Sequence, residues 1–166
     1  ETGREVRREF VARFLEVADE HVGAASAVTA RMEAAALQDQ AGDPEAALES
    51  WRRAASEAAD GSALKGLALV RLARALEARS LWEEAALAHQ EAGGIEEMPT
   101  RILALGDAAR CFVEAGDVER ALAVFERIET ESPDAALPQH TRARLLELRC
   151  GLPSGAGEAP SEEAPG

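Results

Sequence analysis

The chain contains no tyrosine, no asparagine and a single lysine, Lys65, in 166 residues. Aromatics amount to 4%, while alanine supplies much of the 46% apolar content. Alanine is the strongest helix former and leaves little room for β-branched strand runs, so the composition points to an all-α fold. The missing asparagine, and arginine at 17 of the 18 basic positions, read as GC-rich codon usage more than as chemistry. Two cysteines, Cys111 and Cys150, make no disulfide framework. Cys111 lies in an apolar stretch and is expected as a small buried thiol, and Cys150 precedes a glycine at a helix end. No Lys/Arg run exceeds two, and the net charge is −13 with a pI near 4.7. Nucleic acid is therefore not expected as a partner, since a phosphate backbone is bound by cationic neutralisation. No uninterrupted apolar run approaches the roughly 18 residues of a membrane span, and the opening ETGREVRREF is too charged for a signal peptide.

Reactive constellations are equally scarce. His21, His89 and His140 show no metal-ligand spacing, and Cys111 has no evident His or Asp partner. AGGIEEMPT lacks the Gly-Lys-Ser/Thr ending of a phosphate loop. Paired carboxylates such as Glu83–Glu84 and Glu96–Glu97 read as helix-start charges facing the dipole. No catalytic residue, metal or cofactor is expected, and the chain is not expected to be an enzyme.

What the sequence does hold is recurrence. QAGDPEAALESWRRA (40–54) returns as EAGDVERALAVFERI (114–128), and in blurred form as RSLWEEAALAHQEA (79–92). With Gly42, Ser80 and Gly116 in register, Ala47, Ala85 and Ala121 stand five residues on. Trp51, His89 and Phe125 stand nine on, and Ala54, Ala92 and Ile128 twelve on, the units being 38 and 36 residues apart. Gly followed by Asp (42–43, 116–117) is a helix stop and then an N-cap, and Pro44 suits the first helical position. A second apolar-periodic stretch precedes each phrase, over 26–42, 62–80 and 100–116. Its core face is marked by Leu69, Leu72, Ala73 and Leu76 in the second unit and by Leu105, Ala108, Ala109 and Phe112 in the third. The unit is helix, tight turn, helix, repeated three times.

The flanks are expected to cap the stack. Val6, Phe10, Phe14 and Val17 form a stripe expected to cover the first unit, and Leu137, Thr141, Leu145 and Leu148 one expected to cover the last. The domains read as an N-terminal cap over 1–22, repeats over 23–60, 61–98 and 99–133, a C-terminal cap over 134–151, and a disordered acidic Pro/Gly tail over 152–166.

These columns resemble the tetratricopeptide repeat (TPR) family, whose pattern has Gly-Asp at the turn, Ala at plus five, an aromatic at nine, Ala at twelve and Pro at seventeen. The third unit matches most fully, through Gly116, Asp117, Ala121, Phe125 and Pro133, with Ile128 in place of Ala. The second departs furthest, with Ser80-Leu81 for Gly-Asp and His89 for the aromatic, while Trp82 stands where the family often has Tyr. Spacings above the usual repeat of about 34 imply longer turns between units, at AADGS and AGGIEEMPT. The resemblance spans roughly residues 26–150 and implies a right-handed α-solenoid. A narrower likeness, carried by GSALKGLALVRLARALEARSLWEEAALAHQEAG and GDAARCFVEAGDVERALAVFERI, is to the periplasmic TPR domain of the ancillary subunit of the bacterial SecYEG translocon. The compartment stays open: cytoplasmic by default, periplasmic if that likeness holds.

The family's concave face is lined by the first helix of each unit. Carried over, this places Met32 from the first unit, Leu67, Val70, Arg71 and Arg74 from the second, and Leu103, Arg110 and Val113 from the third in one groove. The resemblance thus implies a scaffold or adaptor holding a protein or peptide. The three arginines suit an acidic or carboxylate-bearing segment, because guanidinium binds carboxylate bidentately. A competing reading pairs them locally with Glu77, Asp107 or Glu114. The dicarboxylate clamp of chaperone-tail TPR domains uses Asn beside Lys and Arg, so it cannot be built here in its usual form. The alternatives are a structural, self-associating module and a membrane-tethered translocon accessory.

Overall fold

A computed structural model describes residues 2–134 and 137–151, and the tail expected from residue 152 onward lies outside them. The described residues form eight α-helices and no strand. They are α1 (Thr2–Glu20), α2 (Ala25–Ala41), α3 (Pro44–Glu57), α4 (Ala63–Glu77), α5 (Trp82–Gly93), α6 (Arg101–Glu114), α7 (Val118–Glu131) and α8 (Gln139–Arg149). Each helix packs chiefly on its neighbours in sequence, with α4 also touching α6, and α6 touching α8. Serial packing of helix pairs is what defines a solenoid.

The same backbone device makes the turns α2–α3, α4–α5 and α6–α7. Gly42, Ser80 and Gly116 all take positive φ, at 78°, 58° and 81°. Each of these residues, and the one after it, returns its N–H to the last turn of the helix just ended. Gly42 donates to the Asp39 carbonyl at 3.1 Å, Ser80 to Glu77 at 2.8 Å and Gly116 to Val113 at 3.0 Å. Asp43, Leu81 and Asp117 then donate to Gln38, Leu76 and Phe112, completing a Schellman-type ending. Asp43 and Asp117 go on to cap the next helix, accepting from the N–H groups of Ala46 and Arg120. Leu81 has the corresponding backbone and no side-chain oxygen to do so.

Packing follows the columns. Ala47, Ala85 and Ala121 are wholly buried, as are Ala54 and Ala92, which lets helices approach closely. A Cβ on Gly93 would come within 2.5 Å of Leu105. Trp51, His89 and Phe125 are all buried, and of the two predicted core faces only Leu72 is half-exposed. The turn over 94–100 tucks Ile95 and Met98 into the core, Met98 lying against Gly66. Glu96 and Glu97 fall in this turn instead of at a helix start; Glu83 and Glu84 do sit in the first turn of α5.

Two expectations about the ends fare differently. At α8, Leu137, Thr141 and Leu145 are buried and Leu148 half-buried. At α1 the stripe faces the other way: Val6, Phe10 and Val17 are exposed, and only Phe14 of the four packs inward. Helix α1 meets α2 instead through Ala18 against Ala27 and Ala30, small residues that let the backbones close up. One buried charge accompanies this junction. Arg31 is fully buried in the column that holds Leu69 and Leu105 in the later units. It donates to Glu57 of α3 at 2.8 Å and to Asp19 of α1 at 2.9 Å, while its Nη1 has no partner among the described residues.

Candidate functional site

The predicted groove residues lie on α2, α4 and α6, where Met32, Val70 and Val113 pack partly against the core. Leu67, Leu103, Arg71 and Arg74 are exposed or half-exposed; Met32, Val70, Val113 and Arg110 are half-buried. The structure divides the arginines between two cavities. Arg71 and Arg74 line a shallow one of about 240 Å³ with Asp39, Trp51, Ala75, Ala78 and Arg79. Among the described residues neither makes an ion pair or side-chain hydrogen bond, so both are available to a ligand. Arg79 is engaged by backbone, donating to the carbonyls of Ala75 and Pro44. Asp39 accepts the indole N–H of Trp51 at 3.1 Å. Three cations thus face one carboxylate here, in a protein whose net charge is −13.

Arg110 lines the second cavity, about 180 Å³ between α6 and α8, with Val113, His140, Thr141, Arg144 and Leu145. It is already paired, donating to Glu77 at 2.6 Å and lying 3.5 Å from Asp107. For this arginine local pairing is what the structure shows.

Behind Glu77 lies a group that sequence spacing did not reveal. Glu77 Oε1 is 2.7 Å from His89 Nε2, and donor atoms of Glu77, His89 and Cys111 all lie within 4.8 Å of one another. They come from the end of α4, the middle of α5 and the last turns of α6. His89 and Cys111 are fully buried and Glu77 is partly so. Burial pushes the Glu77 carboxyl up, but hydrogen bonds from His89 and Arg110 outweigh it and hold the group at about 2. A carboxylate must accept, so the His89 ring carries its proton on Nε2, leaving buried Nδ1 with no partner among the described residues. Burial pushes the Cys111 thiol up to about 12, which keeps it protonated at neutral pH and unsuited to nucleophilic attack. One signal for the group was present in the sequence. Glu77 and His89 occupy the columns of Asp39 and Trp51, whose side chains also meet.

No protein-family model matches the chain, and no curated protein does either. Solved structures do. The nearly identical TPR-like repeats of a protein described as a Podosopora anserina kinesin light chain share the fold with a TM-score of 0.62. That match has 18% identity and covers 90% of this chain and 86% of that one. A point-substituted form of the same repeats matches equally well. The architecture is therefore an all-α, TPR-like repeat solenoid, and at this identity the likeness concerns fold alone. No described helix is long and apolar enough to cross a membrane.

Proposed function

We propose that the chain is a non-catalytic interaction module of TPR type that takes an acidic, carboxylate-bearing peptide segment on its groove face. The observation carrying this is the pair Arg71 and Arg74, one helical turn apart on one cavity wall that also holds Asp39, with no ion pair among the described residues. In a chain of net charge −13, two uncompensated arginines beside a Trp-backed hollow are a local reversal of field that favours anionic peptide. Leu67 and Val70 on α4, Leu103 and Val113 on α6 and Met32 on α2 would supply apolar contact along the same face. The narrower likeness to a translocon subunit names one setting for such a groove, in which the chain serves as a membrane-tethered accessory of the translocon.

Titration calorimetry with an acidic peptide, its C-terminally amidated form and a charge-reversed control tests the proposal. The acidic peptide should bind with an affinity that falls as salt rises, and Arg71→Glu/Arg74→Glu should weaken it by at least about tenfold, or 1.4 kcal/mol. An unchanged Kd in that variant would sink the reading. Arg110→Glu is the poorer probe because it also strips Glu77 of its partner.

A second reading, self-association, is favoured by the exposed Val6, Phe10 and Val17 on α1. Light scattering across concentration, with Phe10→Glu as control, separates it from the first. A concentration-independent monomer leaves only the groove.

A further inference from the structure

We propose that Glu77, His89 and Cys111 form a binding site for a borderline divalent cation, with Zn(II) the ion that fits this donor set. The inference does not depend on the groove reading. Carboxylate oxygen, imidazole nitrogen and thiolate sulfur are the three protein ligand types of zinc, and a four-coordinate ion needs just three of them plus one open position. Zinc bonds of about 2.0–2.3 Å place tetrahedral donors roughly 3.3–3.8 Å apart. The three donors already lie within 4.8 Å of one another, so side-chain adjustment of roughly an ångström closes the set.

The repeat itself shows what is unusual here. His89 stands where the other units carry Trp51 and Phe125, and Cys111 stands where they carry Leu37 and Ala75. Metal-seeking atoms thus stand at two columns that meet across one unit boundary, where the other units carry aromatic or aliphatic side chains. The replacement at His89 leaves a fully buried ring whose Nε2 meets Glu77 and whose Nδ1 has no partner among the described residues, and burying such an atom without a bond is unfavourable. The hydrogen bond to Glu77 accounts for one edge of the ring only, whereas a cation would use the ring and the thiol together. Glu77 is the member nearest solvent, with 19% of its side chain exposed, which gives the ion a way in and water the fourth position. On binding, the Cys111 S–H bond breaks and its proton passes to buffer, the His89 proton moves from Nε2 to Nδ1, and the sulfur–metal and Nε2–metal bonds form in their place. The two anions then balance the ion, and Arg110 stays beside Glu77 as an outer partner.

The test uses the full chain, stripped with chelator, in a Cys150→Ser background so that Cys111 is the sole thiol. Added Co(II) should give, at one equivalent, a thiolate-to-metal charge-transfer band and the intense visible bands of four-coordinate cobalt, and Zn(II) should erase both. Cys111→Ala and His89→Phe install residues that other units already carry in those columns. They should keep the helical circular dichroism and lose the charge-transfer band. Absence of the band in the parent protein overturns the proposal whatever the variants do, and so does a band of equal intensity in Cys111→Ala.

Discussion

Trp51 donates its indole N–H to Asp39 at 3.1 Å, and one repeat later His89 meets Glu77 at 2.7 Å, each pair twelve residues apart. In the third unit the same two places hold Val113 and Phe125. One joint between the helices of a hairpin has thus been filled in three chemical ways, and only the middle one uses two ionisable groups. The consequence is an asymmetry. In metal-free protein, Glu77→Ala leaves a buried imidazole with no bond and Arg110 with only the distant Asp107, which should cost about 2–3 kcal/mol. His89→Phe removes one bond but installs the residue of Phe125, and should stay within about 1 kcal/mol of wild type. Urea unfolding with EDTA present checks this ordering, and equal losses would refute it.

The buried Arg31 gives a second prediction, with the opposite sign from naive expectation. It holds a place where the later units have leucine, and desolvating a guanidinium offsets much of what its two ion pairs contribute. Arg31→Leu should therefore be neutral or stabilising, whereas Glu57→Ala, which uncovers the buried charge, should cost about 3 kcal/mol. Acid behaviour tells the two apart further. The hydrogen bond from Arg31 holds Asp19 below its ordinary 3.8. A depressed carboxylate adds stability that is complete above 3.8 and is lost as the pH falls from there through the lower folded value. Arg31→Leu should shrink that acid-side loss, and melts recorded from about pH 6 down to about pH 2 would show whether it does.

These cases also show what the sequence makes legible. The Gly-Asp turns can be read because positive φ and helix capping are local demands that few residue types meet. The inward faces of α4 and α6 can be read because Leu69, Leu76, Leu105 and Phe112 are large and periodic. Helix α1 misleads for a related reason. Periodicity marks a stripe but not the side on which a neighbour lies, and here the neighbour is met through Ala18, Ala27 and Ala30, whose small side chains carry little weight in such a pattern. The Glu77, His89 and Cys111 group is hidden because its members come from three helices, and their register depends on how the 94–100 turn folds inward. Arg31 is hidden because arginine is seldom fully buried, and nothing near it in sequence names Asp19 or Glu57 as its partners.

Two buried helical glycines should respond differently to an added methyl group. At Gly93 a Cβ would lie 2.5 Å from Leu105 Cγ and Cδ2 and 3.1 Å from the Arg101 carbonyl oxygen. Leu105 is fully buried and has nowhere to go. Gly93→Ala should therefore lose about 1–3 kcal/mol. At Gly66 the obstacle is Met98, with Sδ at 2.7 Å, Cγ at 3.1 Å and Cβ at 3.2 Å. An unbranched thioether can re-route, and alanine gains about 1 kcal/mol of helix propensity over glycine. Gly66→Ala should be close to neutral. Thermal melts of the two variants side by side check the contrast.

The second turn offers the sharpest test of repeat equivalence, because it departs from the other two at both key positions. Ser80 is held at φ 58°, a conformation that costs a residue with a Cβ roughly 1 kcal/mol or more. Leu81 sits at φ −83°, ψ 62°, close to the −93°, 77° of Asp117, yet offers no oxygen to the start of α5. Ser80→Gly should remove the strain, and Leu81→Asp should supply the missing acceptor to the Glu84 N–H, worth about 1 kcal/mol. Leucine gives up little there, being 37% exposed. Glu83 and Glu84 already charge that helix start, which trims the gain from a third carboxylate. The double variant should be more stable by about 1–2 kcal/mol, and Asp117→Ala, its mirror in the third unit, less stable by about 1 kcal/mol. If Asp117→Ala loses stability while the double variant unfolds at the same urea concentration as wild type, the three turns are not interchangeable and the column register is wrong at the second unit.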